Sequence, residues 1–270
     1  TALPAGQDRK NIGDLRDSPG IISWENGKVY EKARERQSVV DAGAEKGHNG
    51  EKMGRGPRKR RAGMKQVLWI NSCMRGAGQS RTLELCRTFL EELRVRRPGL
   101  KVAERDLTRA ELPVMTAELS RRREELAAEG REDPLLLPAR EMARADLVVV
   151  GAPYWDLGFP AALKVYLEWA CTLGITFGYT QAGEQRGLCR AERLIYITTA
   201  GGPLEDRNFG YEYVRGVAGM LGIINTHCVA AQGLDIRGND PVCLSHLKLI
   251  FKICDCPESS NYHTGIHLFC

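Results

Sequence analysis

Three segments of this chain carry residues whose types and spacing could do chemistry, and all three favour holding a ligand over attacking one. The first is Asn71 to Thr82 (NSCMRGAGQSRT). Gly76 and Gly78 let a backbone approach a ligand closely, and Ser80 and Thr82 stand where a helix begins. A helix N-terminus presents free N–H groups and partial positive charge, which suits a phosphate. The plainer alternative is that Ser80 only caps that helix. The second is Gly151 to Phe159 (GAPYWDLGF), where Tyr154 and Trp155 sit beside small residues and Pro153. That mixture suits a flat ring needing both stacking and backbone hydrogen bonds, although aromatics in such places also close cores. The third is Thr198 to Pro203 (TTAGGP), where Gly201 and Gly202 remove side chains from a surface against which a planar ligand could lie. A phosphate cradle, an aromatic wall and a glycine floor together fit flavin mononucleotide (FMN).

Other chemistries fit less well. Gly76-x-Gly78 begins a dinucleotide fingerprint, but Arg81 stands where the third glycine must allow close helix–strand packing. Cys254-x-Cys256 followed by His263-x-x-x-His267 invites a zinc reading. Only six residues separate the two pairs, against roughly 12–15 in finger-type sites, so no metal is expected. The nine cysteines are an odd number, and Cys73, Cys86, Cys171, Cys189 and Cys228 fall singly in apolar or mixed segments. Such thiols behave as small core residues in a reducing compartment. The run Arg55 to Arg61 (RGPRKRR) has no interleaved aromatic to stack on bases, so a solvated arm is expected and not a nucleic-acid site.

The elements that must position the loops follow from periodicity. Val67–Ile70 and Leu147–Val150 are short apolar runs, as buried parallel strands should be, and Val102–Leu107, Leu194–Thr199 and Asn225–Ala231 read as further strands. Helices are predicted for Ser80–Arg97, Ser120–Glu129, Pro134–Arg144 with Asp133 as cap, Pro160–Leu173 and Tyr211–Leu221. This alternation implies a parallel sheet covered on both faces, with ligands at the carboxyl ends of its strands. After Asp240-Pro241 one closing helix is expected, ended by Pro257, and residues 258–270 read as structureless.

Residues 1–63 hold 14 of the 39 Lys and Arg and nine of the 34 Asp and Glu, so they carry the whole net charge of +5. With sparse apolar residues and no sustained period, this segment cannot offset its ordering entropy and is expected to be a disordered basic arm. Arg60-Arg61-Ala62-Gly63-Met64 could also be encoded as a ribosome-binding site and start codon, making Met64 the natural start. The domain boundaries expected are 1–63, 64–240 and 241–270. No apolar run reaches the roughly 18 residues of a membrane span, and no leader pattern opens the chain, so a cytoplasmic protein is expected.

From Met64 to Asp240 the sequence also resembles a known family. VLWINS, GQSRTLEL, ADLVVVGAPYWDLGFPAALKVYLEWA, GITFGYTQAG and YITTAGGP are similar to the FMN-dependent NADH-azoreductases and NAD(P)H quinone reductases of flavodoxin-like fold. The resemblance implies a doubly wound five-stranded parallel sheet of order 2-1-3-4-5. It implies that Ser72, Gln79, Ser80 and Thr82 hold the FMN phosphate and ribityl end. Tyr154, Trp155, Asp156 and Leu157 would flank the isoalloxazine, with Pro153 shaping the turn. Thr199, Gly201 and Gly202 would face the pyrimidine edge, and Tyr179 the substrate side of the ring. It also implies a homodimer that takes electrons from NADH or NADPH and reduces a quinone, an azo compound or a similar small acceptor, with no protein nucleophile. The alternative is a flavodoxin-type electron carrier, a binding module without its own NAD(P)H oxidation; the segment Phe177–Arg193, long enough for a pocket wall, favours the enzyme.

Overall fold

The computed structural model describes residues 64–109 and 112–236 and, as backbone, the strand 266–269. The basic arm, the expected closing helix and the Cys254/Cys256/His263 set lie outside the described residues. Strands β1 (Gln66–Asn71), β2 (Lys101–Asp106), β3 (Leu147–Gly151), β6 (Arg193–Thr199), β7 (Asn225–Gln232) and β8 (Ile266–Phe269) form one sheet of order β2-β1-β3-β6-β7-β8. Every pairing in it is parallel. The first five of these strands are the predicted ones, in the predicted order 2-1-3-4-5. Two strands were not foreseen in the short hairpin β4 (Phe177–Tyr179) and β5 (Gln185–Gly187). The expectation that residues 258–270 are structureless is corrected by β8, which adds a sixth strand beside β7. Ile266 and Phe269 within it are of β-favouring types.

Helices α1 (Arg81–Arg96), α2 (Ala117–Glu129), α3 (Leu137–Arg144), α4 (Ala161–Ala170) and α5 (Phe209–Met220) cross between the strands. α1 forms because Leu83, Cys86, Leu90 and Leu93 recur on one stripe, and all four are buried. The Ser80 hydroxyl caps it by accepting the Leu83 N–H at 3.2 Å. α2 starts three residues earlier than its apolar pattern suggests, because Thr116 caps it through the Leu119 N–H. Residues 134–144 divide into a 3₁₀ turn at Pro134–Leu136 and then α3. Pro138 has no N–H to continue a helical ladder back to residue 134. α4 ends at Ala170, short of the expected Leu173, because hydroxyls take over its last carbonyls. Thr172 Oγ1 donates to Trp169 O at 2.9 Å and Thr176 Oγ1 to Ala170 O at 2.8 Å.

Alternation along the strands sends side chains to two cores. Leu68, Ile70, Val148, Val150 and Tyr196 pack with Met142, Leu163, Tyr166 and Val214 on one face. Val67, Trp69, Leu147, Val149, Ile195 and Ile197 pack with Leu83, Phe89, Leu90 and Leu93 on the other. β3 is buried over its whole length, as a central parallel strand must be. Each large side chain so buried contributes about 1.5–3 kcal/mol before the entropy of ordering it. The result is a stiff platform whose carboxyl edge carries the three loops.

Candidate functional site

The site begins where β1, β3 and β6 end, at Asn71, Gly151 and Thr199. Asn71 shapes the first loop: its Oδ1 accepts the Cys73 N–H at 3.1 Å, while its Nδ2 donates to Glu104 Oε1 at 2.9 Å. Ser72 gives both its N–H and its hydroxyl to the Gly151 carbonyl, each at 2.9 Å. It is fully buried. Its hydroxyl therefore ties the end of β1 to the end of β3 and is not presented to the loop. Beyond it, Gly76 and Gly78 adopt φ of 72° and 78°, which an L side chain would resist.

The loop then delivers the chain into α1. Its first-turn N–H groups at Arg81 and Thr82 have no carbonyl to receive them within the helix. Ser80 is buried, and Gln79 beside it is exposed. The capping role of Ser80 is thus present, and it leaves the oxygen at the head of the helix.

The second loop leaves β3 still paired with β6. Ala152 N–H donates to Ile197 O and Tyr154 N–H to Thr199 O, both at 3.0 Å. Pro153 lies between these two rungs and needs no donor of its own. Trp155 and Gly158 then exchange hydrogen bonds at 3.3 and 2.8 Å around a two-residue turn. Asp156 and Leu157 occupy it with φ of 51° and 66°. A left-handed Leu is costly by about 1–2 kcal/mol, and Leu157 is also 44% exposed. The Tyr154 hydroxyl donates to Arg207 O at 3.1 Å, holding its ring toward the start of α5.

The third loop is tied to the first. Thr82 Oγ1 and Thr199 Oγ1 are 2.7 Å apart in a buried contact. The two glycines differ in what they make possible. A Cβ on residue 201 would lie 2.0 Å from Asp235 Oδ2, whereas a Cβ on Gly202, Gly76 or Gly78 would meet nothing within 4 Å. At Gly201 an added methyl group would displace the Asp235 carboxylate. At Gly202 the protein leaves open space beside the backbone, as a flat ligand needs. A helix N-terminus for an anion, flanked by open glycines and an aromatic loop, fits the parts of FMN.

The structure thus brings Gln79, Ser80, Thr82, Pro153, Tyr154, Trp155, Asp156, Leu157, Thr199, Gly201 and Gly202 to one edge, with Ser72 behind them. Tyr179 stands on the β4–β5 hairpin, its ring edge-on to Phe177 at 6.2 Å, and so belongs to that hairpin and not to the three loops. Sequence reasoning missed Asn71 and the pair Arg81 and Asp235, joined at 2.8 Å. The sidedness of Arg81 at the helix start was a signal for it; nothing local announced Asp235.

Behind the first loop, the Cys73 and Cys86 thiols meet beside Gly151. A hydrogen bond from Cys86 holds the Cys73 thiol below its usual range, and burial pushes Cys86 well above. Among the described residues, no group of His, Cys, Asp or Glu could hold a metal ion, and no helix is long and apolar enough to cross a membrane.

Known proteins share this sequence pattern and fold. An FMN-dependent NADH:quinone oxidoreductase from Clostridium acetobutylicum is 35% identical over 182 residues, spanning 66% of this chain and 90% of that protein. One from Lachnoclostridium phytofermentans is 32% identical over 180 residues, spanning 66% and 90%. Among solved structures, an azoreductase from Bacillus anthracis superposes with a TM-score of 0.57 at 24% identity, covering 70% of this chain and 94% of that one, a likeness of fold. The family model described as "Flavodoxin-like fold" matches residues 65–244, and the chain belongs to that family, Flavodoxin_2.

Proposed function

We propose that this chain is an FMN-dependent NAD(P)H:acceptor oxidoreductase of the quinone reductase and azoreductase type. The observation that carries the reading is the joining of the three loops. Thr199 bonds through its side chain to the head of α1 and through its carbonyl to the aromatic loop. One ligand with an anionic end and a planar end would touch all three. When bound, FMN supplies the redox chemistry, accepting hydride from a nicotinamide nucleotide and passing it on to a quinone or azo acceptor.

The chain's own residues bind and orient. Ser80, Thr82, Gln79 and the first-turn N–H groups of α1 hold the phosphate and ribityl end, with Ser72 fixing the loop from behind. Tyr154, Trp155, Asp156 and Leu157 flank the ring on the turn that Pro153 introduces, and Thr199, Gly201 and Gly202 face its pyrimidine edge. Tyr179 lies on the substrate side. The hairpin that carries Tyr179 favours an enzyme over a flavodoxin-type electron carrier, because a carrier needs no wall for an acceptor. Phe209 and Tyr213 are large apolar side chains left exposed. With the Phe159 ring 5.7 Å from Tyr213, they supply a surface for a second copy of the chain, so the working form is a homodimer.

The test is the visible spectrum of the purified protein, recorded without oxygen before and after NADH or NADPH. Bleaching of a bound flavin, and its recovery on adding a quinone, is expected. A flavin that stays oxidised under both nucleotides would leave the carrier reading in place. Light scattering checks the dimer, and a monomer with FMN bound at micromolar concentration would contradict it.

A further inference from the structure

Arg81 fills the place where a dinucleotide site would need glycine, and its side chain leaves the loop sideways. Nη1 donates to the Leu234 carbonyl at 3.0 Å and Nη2 to Asp235 Oδ1 at 2.8 Å. The segment receiving it is laced to the glycine loop. Gly233 N–H donates to Gly202 O at 3.1 Å, Leu234 N–H to Ala200 O at 3.2 Å and Asp235 N–H to Gly201 O at 2.9 Å. The Asp235 carboxylate lies beside Gly201, in the space a Cβ would take. Arg81 stands between Ser80 and Thr82, so one guanidinium joins the head of α1 to the underside of the glycine loop.

We infer that Arg81 and Asp235 form a clamp that sets the separation of the loop 71–82 from the loop 198–203, which makes Arg81 a positioning residue for a ligand spanning both. This rests on the flavin reading above. A planar fork suits the task, since it reaches a carbonyl and a carboxylate at once, which a lysine ammonium on a flexible stem does less well. The clamp also makes a prediction whose sign opposes simple electrostatics. Asp235 adds negative charge near an anion site, so its removal should by charge alone tighten binding of a phosphate. If it acts through Arg81, its removal weakens binding instead.

The experiment titrates apoprotein with FMN, and separately with riboflavin, by quenching of flavin fluorescence. Wild type is compared with Arg81→Gln, Asp235→Asn, the double variant, Arg81→Lys, and Ser80→Ala as a reference for the site. Each clamp single should weaken FMN roughly three- to tenfold, with Arg81→Lys resembling Arg81→Gln. The double variant should be no weaker than the worse single, because both remove one interaction. Riboflavin lacks the phosphate that the head of α1 would hold, so its affinity should change less than FMN's; a misfolded variant would lose both ligands alike.

Tighter FMN binding by Asp235→Asn, or losses that multiply in the double variant, would overturn the clamp. So would clamp variants that match wild type while Ser80→Ala weakens FMN. If Ser80→Ala also matches wild type, the flavin assignment of these loops falls with it.

Discussion

The phosphate loop and the aromatic loop leave the same sheet edge and are built in opposite ways. The first is held from several sides: Ser72 on Gly151, Asn71 on Cys73 and Glu104, Thr82 on Thr199, Arg81 on Leu234 and Asp235. Its conformational demands fall on glycines. The second is hydrogen-bonded to the sheet near its start, through Ala152 and Tyr154, and then turns through two non-glycine residues with positive φ while exposing Leu157. Anchoring suits the end of a ligand that stays put. Strain kept at an exposed apolar turn suits the end where partners come and go, since strain persists where function selects against relieving it.

If that contrast is right, the two loops fail differently. The largest effect is expected from Trp155→Ala, which on the proposed reading removes part of the wall orienting the ring and the acceptor. Misplacing reacting partners by about 1 Å can cost on the order of a hundredfold. Quinone reduction under NADH should therefore fall by that order even when FMN saturates the site. Unchanged turnover would remove Trp155 from the wall.

Ser80→Ala should act on affinity instead. On the proposed reading the hydroxyl lost also meets the charged phosphate, so FMN binding should weaken by ~1.5–3 kcal/mol, roughly ten- to hundredfold. Turnover should return at saturating FMN, because the ring wall is intact. A flavin titration paired with steady-state rates separates the two, and a lasting fall in turnover would show that the loops are not independent.

Next in size is a stability effect at the junction beneath both loops. A Cβ on residue 151 would lie 2.6 Å from Cys86 Sγ in the core. Gly151→Ala should destabilise by about 1–3 kcal/mol through overpacking, read as a lower Tm of the apoprotein. The paired variant Gly151→Ala with Cys86→Ala makes room and should recover most of the loss. No recovery would mean that the backbone, and not the thiol, resents the methyl group.

How much of this was legible beforehand follows the range of the interactions. Leu147–Val150 is apolar on both faces, so it reads as a central strand from four letters, and the alternation of strands and helices placed the three loops at one edge. Ser80 was legible both as a cap and as a ligand group, and the cap is present. The short hairpin Phe177–Gly187 was not legible, because three-residue strands leave no period. β8 was not either, since its pairing with β7 spans a long sequence separation. Gly201 reads in sequence like any turn glycine. Only the structure shows that it makes room for Asp235 while Gly202 faces open space, and the same long-range contact hid Asp235 and the use made of Arg81.

The smallest expected effect tests the strained turn most directly. Asp156 and Leu157 are the two central residues of a turn closed by Trp155 and Gly158, both with positive φ. Asp-Gly is among the preferred pairs for such a turn, because glycine takes the second position without a Cβ clash. Leu157→Gly should therefore relieve about 1 kcal/mol of backbone strain. Part of that gain is offset because glycine leaves the unfolded chain freer. Little packing is lost, as the Leu157 side chain is exposed. The apoprotein Tm should rise by up to about 2–4 °C. Turnover should nonetheless fall, with FMN affinity nearly unchanged, because on the proposed reading Leu157 flanks the ring and not the phosphate. A higher Tm with wild-type turnover would show that the leucine is tolerated at the turn without being used there. A lower Tm would show that the left-handed geometry costs less than the side chain contributes, and the contrast between an anchored loop and a strained one would lose its physical basis.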